Sequence, residues 1–294
     1  MPRNQFQLIS CQFVVNAMIK IPASLLSSSI NQADKFNQVR IIQDSIDIDL
    51  YYHLSDKPDD PILIFLNGAV DRSRKIDSIV FQRSTWAPEI SAHCIFIADP
   101  TLRITDSLGI GWGLGNTSHH GIITMKSALD SLIDTLETNG SISPKRPVGF
   151  FGSSAGGFQA LCLGALYPGS KASVINPQID IAHYFDKELR NALWAAFGSE
   201  SVDFAYRNFE ERLNVFSFFK SVNNIPKISI HINTNSRDDL NRELPLILRF
   251  INDTPKINDK FTLGFYSDPT TGHSPPNKEA TLKIIKDLLG TIED

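Results

Sequence analysis

The chain has 294 residues, 42% of them hydrophobic, with 28 basic and 32 acidic side chains that leave a formal net charge of −4. That length admits one large core or two small ones, and no Pro/Ser/Gly-rich linker or charge run divides it, so one domain with an insertion is expected. The charges are scattered, which excludes a basic stripe for a phosphate backbone and makes nucleic acid an unexpected partner.

At the N-terminus, Leu8 to Leu26 is apolar-rich, but Gln12, Asn16 and Lys20 interrupt it. It lacks the clean apolar stretch of a signal peptide and is too polar to span a bilayer. Residues 1–37 are read as a segment packed on a domain that fills 38–294, and the protein as soluble and cytoplasmic. Cys11, Cys94 and Cys162 are too few and too far apart for a disulfide framework or a zinc site. Cys94 and Cys162 lie in apolar runs and read as small buried hydrophobes. Neither a metal nor a cofactor is expected.

From residue 38 strand-like and helix-like stretches alternate, the pattern of a mostly parallel sheet covered on both faces. Val39–Ile42 and Ile46–Tyr52 read as an opening hairpin. Pro61–Leu66 is a continuous apolar run, suited to a buried central strand that stops at Asn67-Gly68. His93–Ala98 is another, ending at Asp99-Pro100. Gly109 to Gly115 holds four glycines in seven residues but follows no clear strand, so a flexible loop near a pocket fits better than a dinucleotide fingerprint. Trp112, His119 and His120 on or beside it are candidate substrate contacts.

Residues 122–138 carry apolar side chains at helical spacing, with Asn139-Gly140 as a stop. Pro147–Phe151 is the next strand, Gly156–Tyr167 the helix after it, and Ala172–Ile175 a strand ending at Asn176-Pro177. The aromatic-rich stretch 181–221 reads as helical, either an ordinary layer or a cap over a site. Ile228–Ile232 and Phe261–Tyr266 are the last strands, and Lys278–Leu289 the terminal amphipathic helix.

The chemistry-bearing motif is Gly152-Ser153-Ser154-Ala155-Gly156, set between a strand and a helix. A serine hydroxyl is a weak nucleophile until a base takes its proton, and this turn exposes Oγ at a sharp bend. Ser154 holds the central place, because Phe151 rather than glycine stands two residues before Ser153. His231 sits inside a strand run and reads as a core or sheet-facing histidine. His273, in a loop after the last strand, is the expected base. Asp238, after strand Ile228–Ile232, is the first choice for the acid that orients the imidazole, with Asp239 and Asp180 as alternatives. An oxyanion would be held by the amide of Ala155 and that of Gly68 or Ala69. Asn67, beside them, is a further candidate substrate contact.

With Asn67-Gly68, the Gly152–Gly156 turn and Gly272-His273 in this order between matching strands, residues 38–290 resemble the α/β-hydrolase superfamily. The resemblance implies a serine esterase or thioesterase working through an acyl-enzyme on a small-molecule or saccharide ester, with 181–221 as helical cap. Phe151–Gly157 and Val174–Gln178 also resemble hydrolase-fold proteins associated with bacterial capsular or other surface polysaccharides, which implies acyl transfer to or from a sugar as an alternative. The superfamily also contains members that only bind, a third reading.

Overall fold

The computed structural model describes residues 19–26, 30, 35–43, 46–74, 79–254 and 257–292. Its strands, β1 (Ile19–Pro22), β2 (Phe36–Ile42), β3 (Ile48–His53), β4 (Ile62–Leu66), β5 (His93–Ile97), β6 (Val148–Ser153), β7 (Lys171–Ile175), β8 (Lys227–Asn233) and β9 (Phe261–Tyr266), form one nine-stranded sheet. The order is β1-β2-β3-β5-β4-β6-β7-β8-β9. From β5 to β9 every pairing is parallel; β3 joins this block antiparallel and forms with β2 the hairpin expected from the sequence. The short β1 adds on parallel to β2. Residues 1–18, with Cys11 and most of the N-terminal segment, lie outside the described residues.

The helices are α1 (Gly121–Thr138), α2 (Ala155–Ala165), α3 (Asp186–Phe197), α4 (Val202–Leu213), α5 (Val215–Val222), α6 (Leu244–Asp253) and α7 (Lys278–Ile292). β4 and β5 are buried along their whole length, because helical layers cover both sheet faces. Alternation along β4 divides the core: Ile62, Ile64 and Leu66 pack with Leu129, Phe158, Leu161 and Phe218 of α1, α2 and α5. Leu63 and Phe65 face the other way, with Phe96, Phe151 and the α7 residues Ile285 and Leu288. Cys94 and Cys162 are buried free thiols within these layers.

The stretch 181–221 divides into two parts. α5 belongs to the helical layer, packed on α2, with Phe216 stacked on Phe250 of α6 at 3.9 Å. α3 lies instead against the turn Pro100–Arg103 that follows β5. Among the described residues no helix is long and apolar enough to cross a membrane.

Candidate active site

The site stands at the carboxyl edge of the sheet, where β6 turns into α2. Ser154 has φ 55° and ψ −125°, a backbone conformation that costs a non-glycine residue about 1–3 kcal/mol. The neighbouring glycines allow it. A Cβ on Gly152 would stand 2.1 Å from the Gly156 carbonyl oxygen, and one on Gly156 would stand 2.5 Å from that of Leu66. The bend is held by the Ser154 amide, which donates to the Ile175 carbonyl at 3.1 Å, and by the Phe158 amide, which donates to the Ser154 carbonyl.

His273 reaches the same point from the loop after β9. Its Nε2 lies 2.8 Å from Ser154 Oγ. Asn233, fully buried at the end of β8, shapes that loop: its Nδ2 donates to the carbonyls of Asp268 and Gly272, and its Oδ1 accepts from the Asp268 amide. Asn176 Nδ2 donates to the His273 carbonyl at 2.9 Å. His231 stays in β8 with its ring on Ser173 Oγ at 3.1 Å, a sheet-facing histidine.

The carboxylate on His273 is that of Asp239, not of the first-choice Asp238. Its oxygens are 2.9 and 3.0 Å from Nδ1, and the residue is 1% exposed. Asp238 has a side chain 56% exposed, with Arg242 3.9 Å away. A helical turn of π type begins at Asp239, and consecutive residues on a helical path point about 100° apart. Only one of the adjacent pair can therefore face His273. Asp180 is an internal cap: it accepts from the Ala182 amide, Tyr206 hydroxyl and Asn214 Nδ2.

The turn after β4 lies against the elbow: a Cβ on Gly68 would stand 3.1 Å from the Ser153 carbonyl oxygen. Among the described residues the amides of Ala155 and Ala69 have no acceptor. The Gly68 amide, also expected as a donor, is engaged by Gln82 Oε1 at 2.9 Å. Gln82 further donates through Nε2 to the Ala69 carbonyl and through its amide to Asn67 Oδ1, clamping the turn after β4. Asn67 is buried, its side chain spent on Gln82 and on the Val80 carbonyl.

The glycine-rich stretch 109–115, expected as a flexible loop near a pocket, is a largely buried turn pinned by hydrogen bonds. The Gly113 amide donates to Asp99 Oδ2 and the Gly115 amide to Thr101 Oγ1. Burial pushes the Asp99 carboxyl up to about 6, although the Gly113 and Thr101 amides work against the shift. Trp112 is fully buried, its indole N–H on Gln178 and its ring 5.1 Å from Tyr184. His120 caps α1 through Nδ1, and burial lowers it to about 3, so it stays neutral. His119 is exposed. Of the four candidate substrate contacts, only His119 stands in solvent.

No protein-family model matches the chain, and no curated protein matches it in sequence. Among solved structures the chain is similar to the capsule O-acetyltransferase of Neisseria meningitidis serogroup A, with 17% identity, 87% of this chain and 94% of that one covered, and a TM-score of 0.58. It is similar to an S-formylglutathione hydrolase from Agrobacterium tumefaciens, with 13% identity, coverage of 90% and 95%, and a TM-score of 0.54. The fluorophosphonate-binding serine hydrolase F of Staphylococcus aureus gives 13%, 88%, 98% and 0.53 in the same order. The chain has the α/β-hydrolase fold, as the sequence resemblance implied.

The geometry around His273 predicts a clear separation between neighbours. Asp239→Asn should lower kcat for an ester by about 10⁴, the cost of the same change in a serine protease, with Asp238→Asn close to wild type. Equal effects of the two substitutions in steady-state assays would contradict the assignment.

Glu243, one helical turn beyond Asp239 and 3% exposed, accepts from the Ile179 amide at 2.9 Å. Burial pushes its carboxyl up to about 7 from an ordinary 4.5. The folded chain therefore keeps a proton that the unfolded chain releases, so this group's stabilisation is full below about pH 4.5 and is lost as pH rises through 7. Relative to wild type, the melting temperature of Glu243→Gln should gain about 5 °C between pH 4.5 and pH 8. A difference that stays constant over that range in thermal denaturation contradicts the buried-proton account.

Proposed function

We propose that the chain is a serine hydrolase that cleaves a carboxylic ester or thioester through an acyl-enzyme at Ser154. The observation that carries this reading is the continuous line Asp239–His273–Ser154, with contacts of 2.9 and 2.8 Å, ending at a hydroxyl on a strained turn. Ser154 Oγ attacks the carbonyl carbon as His273 Nε2 takes its proton. Asp239 holds the Nδ1–H tautomer and stabilises the imidazolium that forms. The amides of Ala155 and Ala69 receive the tetrahedral oxyanion, while Gly68, engaged by Gln82, fixes the loop that carries Ala69. His273 then protonates the leaving alcohol or thiol. Water, deprotonated by the same imidazole, attacks the acyl-enzyme, and the imidazolium returns its proton to Ser154 Oγ as that bond breaks and the acid leaves.

The His273 side chain is 36% exposed, which gives water the access that hydrolysis of the acyl-enzyme requires. Transfer is the second reading, supported by the similarity to a capsule O-acetyltransferase. An assembled relay argues against a purely binding role. The cap of this reading is narrowed to α3 and α4. Arg212 of α4 is tied to the turn before α1, donating to the Leu114, Asn116 and His119 carbonyls, and the segment entering α3 is tied to it by the Trp112–Tyr184 contact. The N-terminal segment is proposed to complete the same domain, since β1 joins its sheet edge.

Ser154→Ala should lower kcat for p-nitrophenyl acetate by about 10⁶ with an unchanged circular dichroism spectrum. Activity at the wild-type level in a clean Ser154→Ala preparation removes Ser154 from the mechanism. Product analysis with a sugar acceptor present separates free acid from acylated sugar.

A further inference from the structure

Beside the elbow stands a cation that the proposed mechanism does not use. Arg83 follows Gln82, the residue that clamps the turn after β4. Its Nη2 donates to Ser153 Oγ at 2.8 Å, and Ser153 is the residue immediately before Ser154. Chain geometry therefore limits the guanidinium to a distance on the order of 10 Å from Ser154 Oγ. The Arg83 backbone is left-handed, with φ 67° and ψ 7°, at the start of the turn Ser84–Glu89. Its Cζ lies 5.7 Å from the Trp86 ring centroid and 5.5 Å from that of Phe151.

Among the described residues the Ser153 hydroxyl is the only hydrogen-bond acceptor on this side chain, and no carboxylate pairs with it. Burial lowers Arg83 to about 10, so the group is charged at neutral pH. Three other arginines of this half of the molecule are neutralised or spent: Arg103 lies on Asp49, and Arg72 and Arg212 on backbone carbonyls. An arginine held in a partly desolvated place by an uncommon backbone conformation, two rings and one hydroxyl keeps most of its donor fork unused. That fork matches the planar or tetrahedral oxygens of a carboxylate or phosphate.

We propose that Arg83 is an anion-binding subsite beside Ser154, and that the natural ester carries a carboxylate or phosphate group near the bond that is cleaved. The substrate class rests on the reading of Ser154 as an ester-cleaving nucleophile. The aromatic faces of Trp86 and Phe151 preorganise the guanidinium, so little side-chain freedom is lost when the anion docks. Gln82, adjacent in sequence, couples the subsite to the turn that carries the Ala69 amide.

Two matched ester pairs test this. Mono-p-nitrophenyl succinate against p-nitrophenyl butyrate places the charge on the acyl side; 4-acetoxybenzoate against its methyl ester places it on the alcohol side. In wild type, kcat/KM should favour the charged member of one pair by about tenfold or more, and Arg83→Gln should remove most of that ratio. Arg83→Lys should keep part of it, since charge survives without the fork. A purely structural arginine lowers both members together; an unchanged ratio in Arg83→Gln, or wild-type ratios near one in both pairs, overturns the proposal. Calorimetric titration of Ser154→Ala with inorganic phosphate and with succinate reads the subsite without turnover and tells the two anions apart. Heat of binding that disappears in Ser154→Ala/Arg83→Gln supports the subsite even if wild type cleaves no ester, in which case the ester reading alone fails. Absence of binding by both anions overturns the subsite itself.

Discussion

A hydrogen-bonded line of three side chains crosses three separate loops at the carboxyl edge of the sheet, and the rest of the molecule serves to keep it in register. Ser154 comes from the bend after β6, His273 from the loop after β9, and Asp239 from the helical turn after β8. The contacts of 2.8 and 2.9 Å leave little tolerance, since a displacement of about 1 Å in any loop breaks the line. Each loop is accordingly tied by buried polar groups rather than by apolar packing alone. Asn233 and Asn176 hold the histidine loop from the ends of β8 and β7. Glu243 holds the Asp239 turn through the Ile179 amide. The bend at Ser154 is over-determined by glycines whose Cβ positions are filled by backbone.

How much of this was legible in the sequence depends on the range of the signal. β4 and β5 were legible because a strand buried on both faces must be apolar throughout. The elbow was legible because its glycines answer a local steric demand. β1 was not: four residues, Ile19–Pro22, are too few to show a period, and their partner β2 lies some 20 positions later. The choice between Asp238 and Asp239 was equally closed to sequence reading. It depends on the rotational phase with which a helical turn leaves β8, a property of the packed loop and of no single residue.

The positions whose burial the residue pattern conceals share a cause. Trp112, His120 and Gly68 sit in polar or glycine-rich stretches, where composition suggests exposure. Yet Asp99, Thr101 and Gln82 supply acceptors that let this backbone be buried. A buried carboxylate such as Asp99 carries no mark in sequence that separates it from a surface turn residue. Arg83 was missed for the same reason: it lies in a loop of mixed polarity, and its setting between Trp86, Phe151 and Ser153 forms only when the chain folds back on β6. Residues whose setting forms only in the folded chain are thus the ones a one-dimensional pattern conceals most completely.

The fold places one hydroxyl against a base among neighbours of equal intrinsic reactivity. Ser153 and Ser154 are adjacent and chemically identical, but only Ser154 Oγ meets an imidazole, whereas Ser153 Oγ accepts from a guanidinium. Reaction of the native chain with a fluorophosphonate probe, followed by identification of the modified peptide, reads that difference directly. A stoichiometric adduct is expected on Ser154 and none on Ser153, abolished when the protein is denatured first. A folded chain that takes no label, or takes it at Ser153, contradicts that expectation.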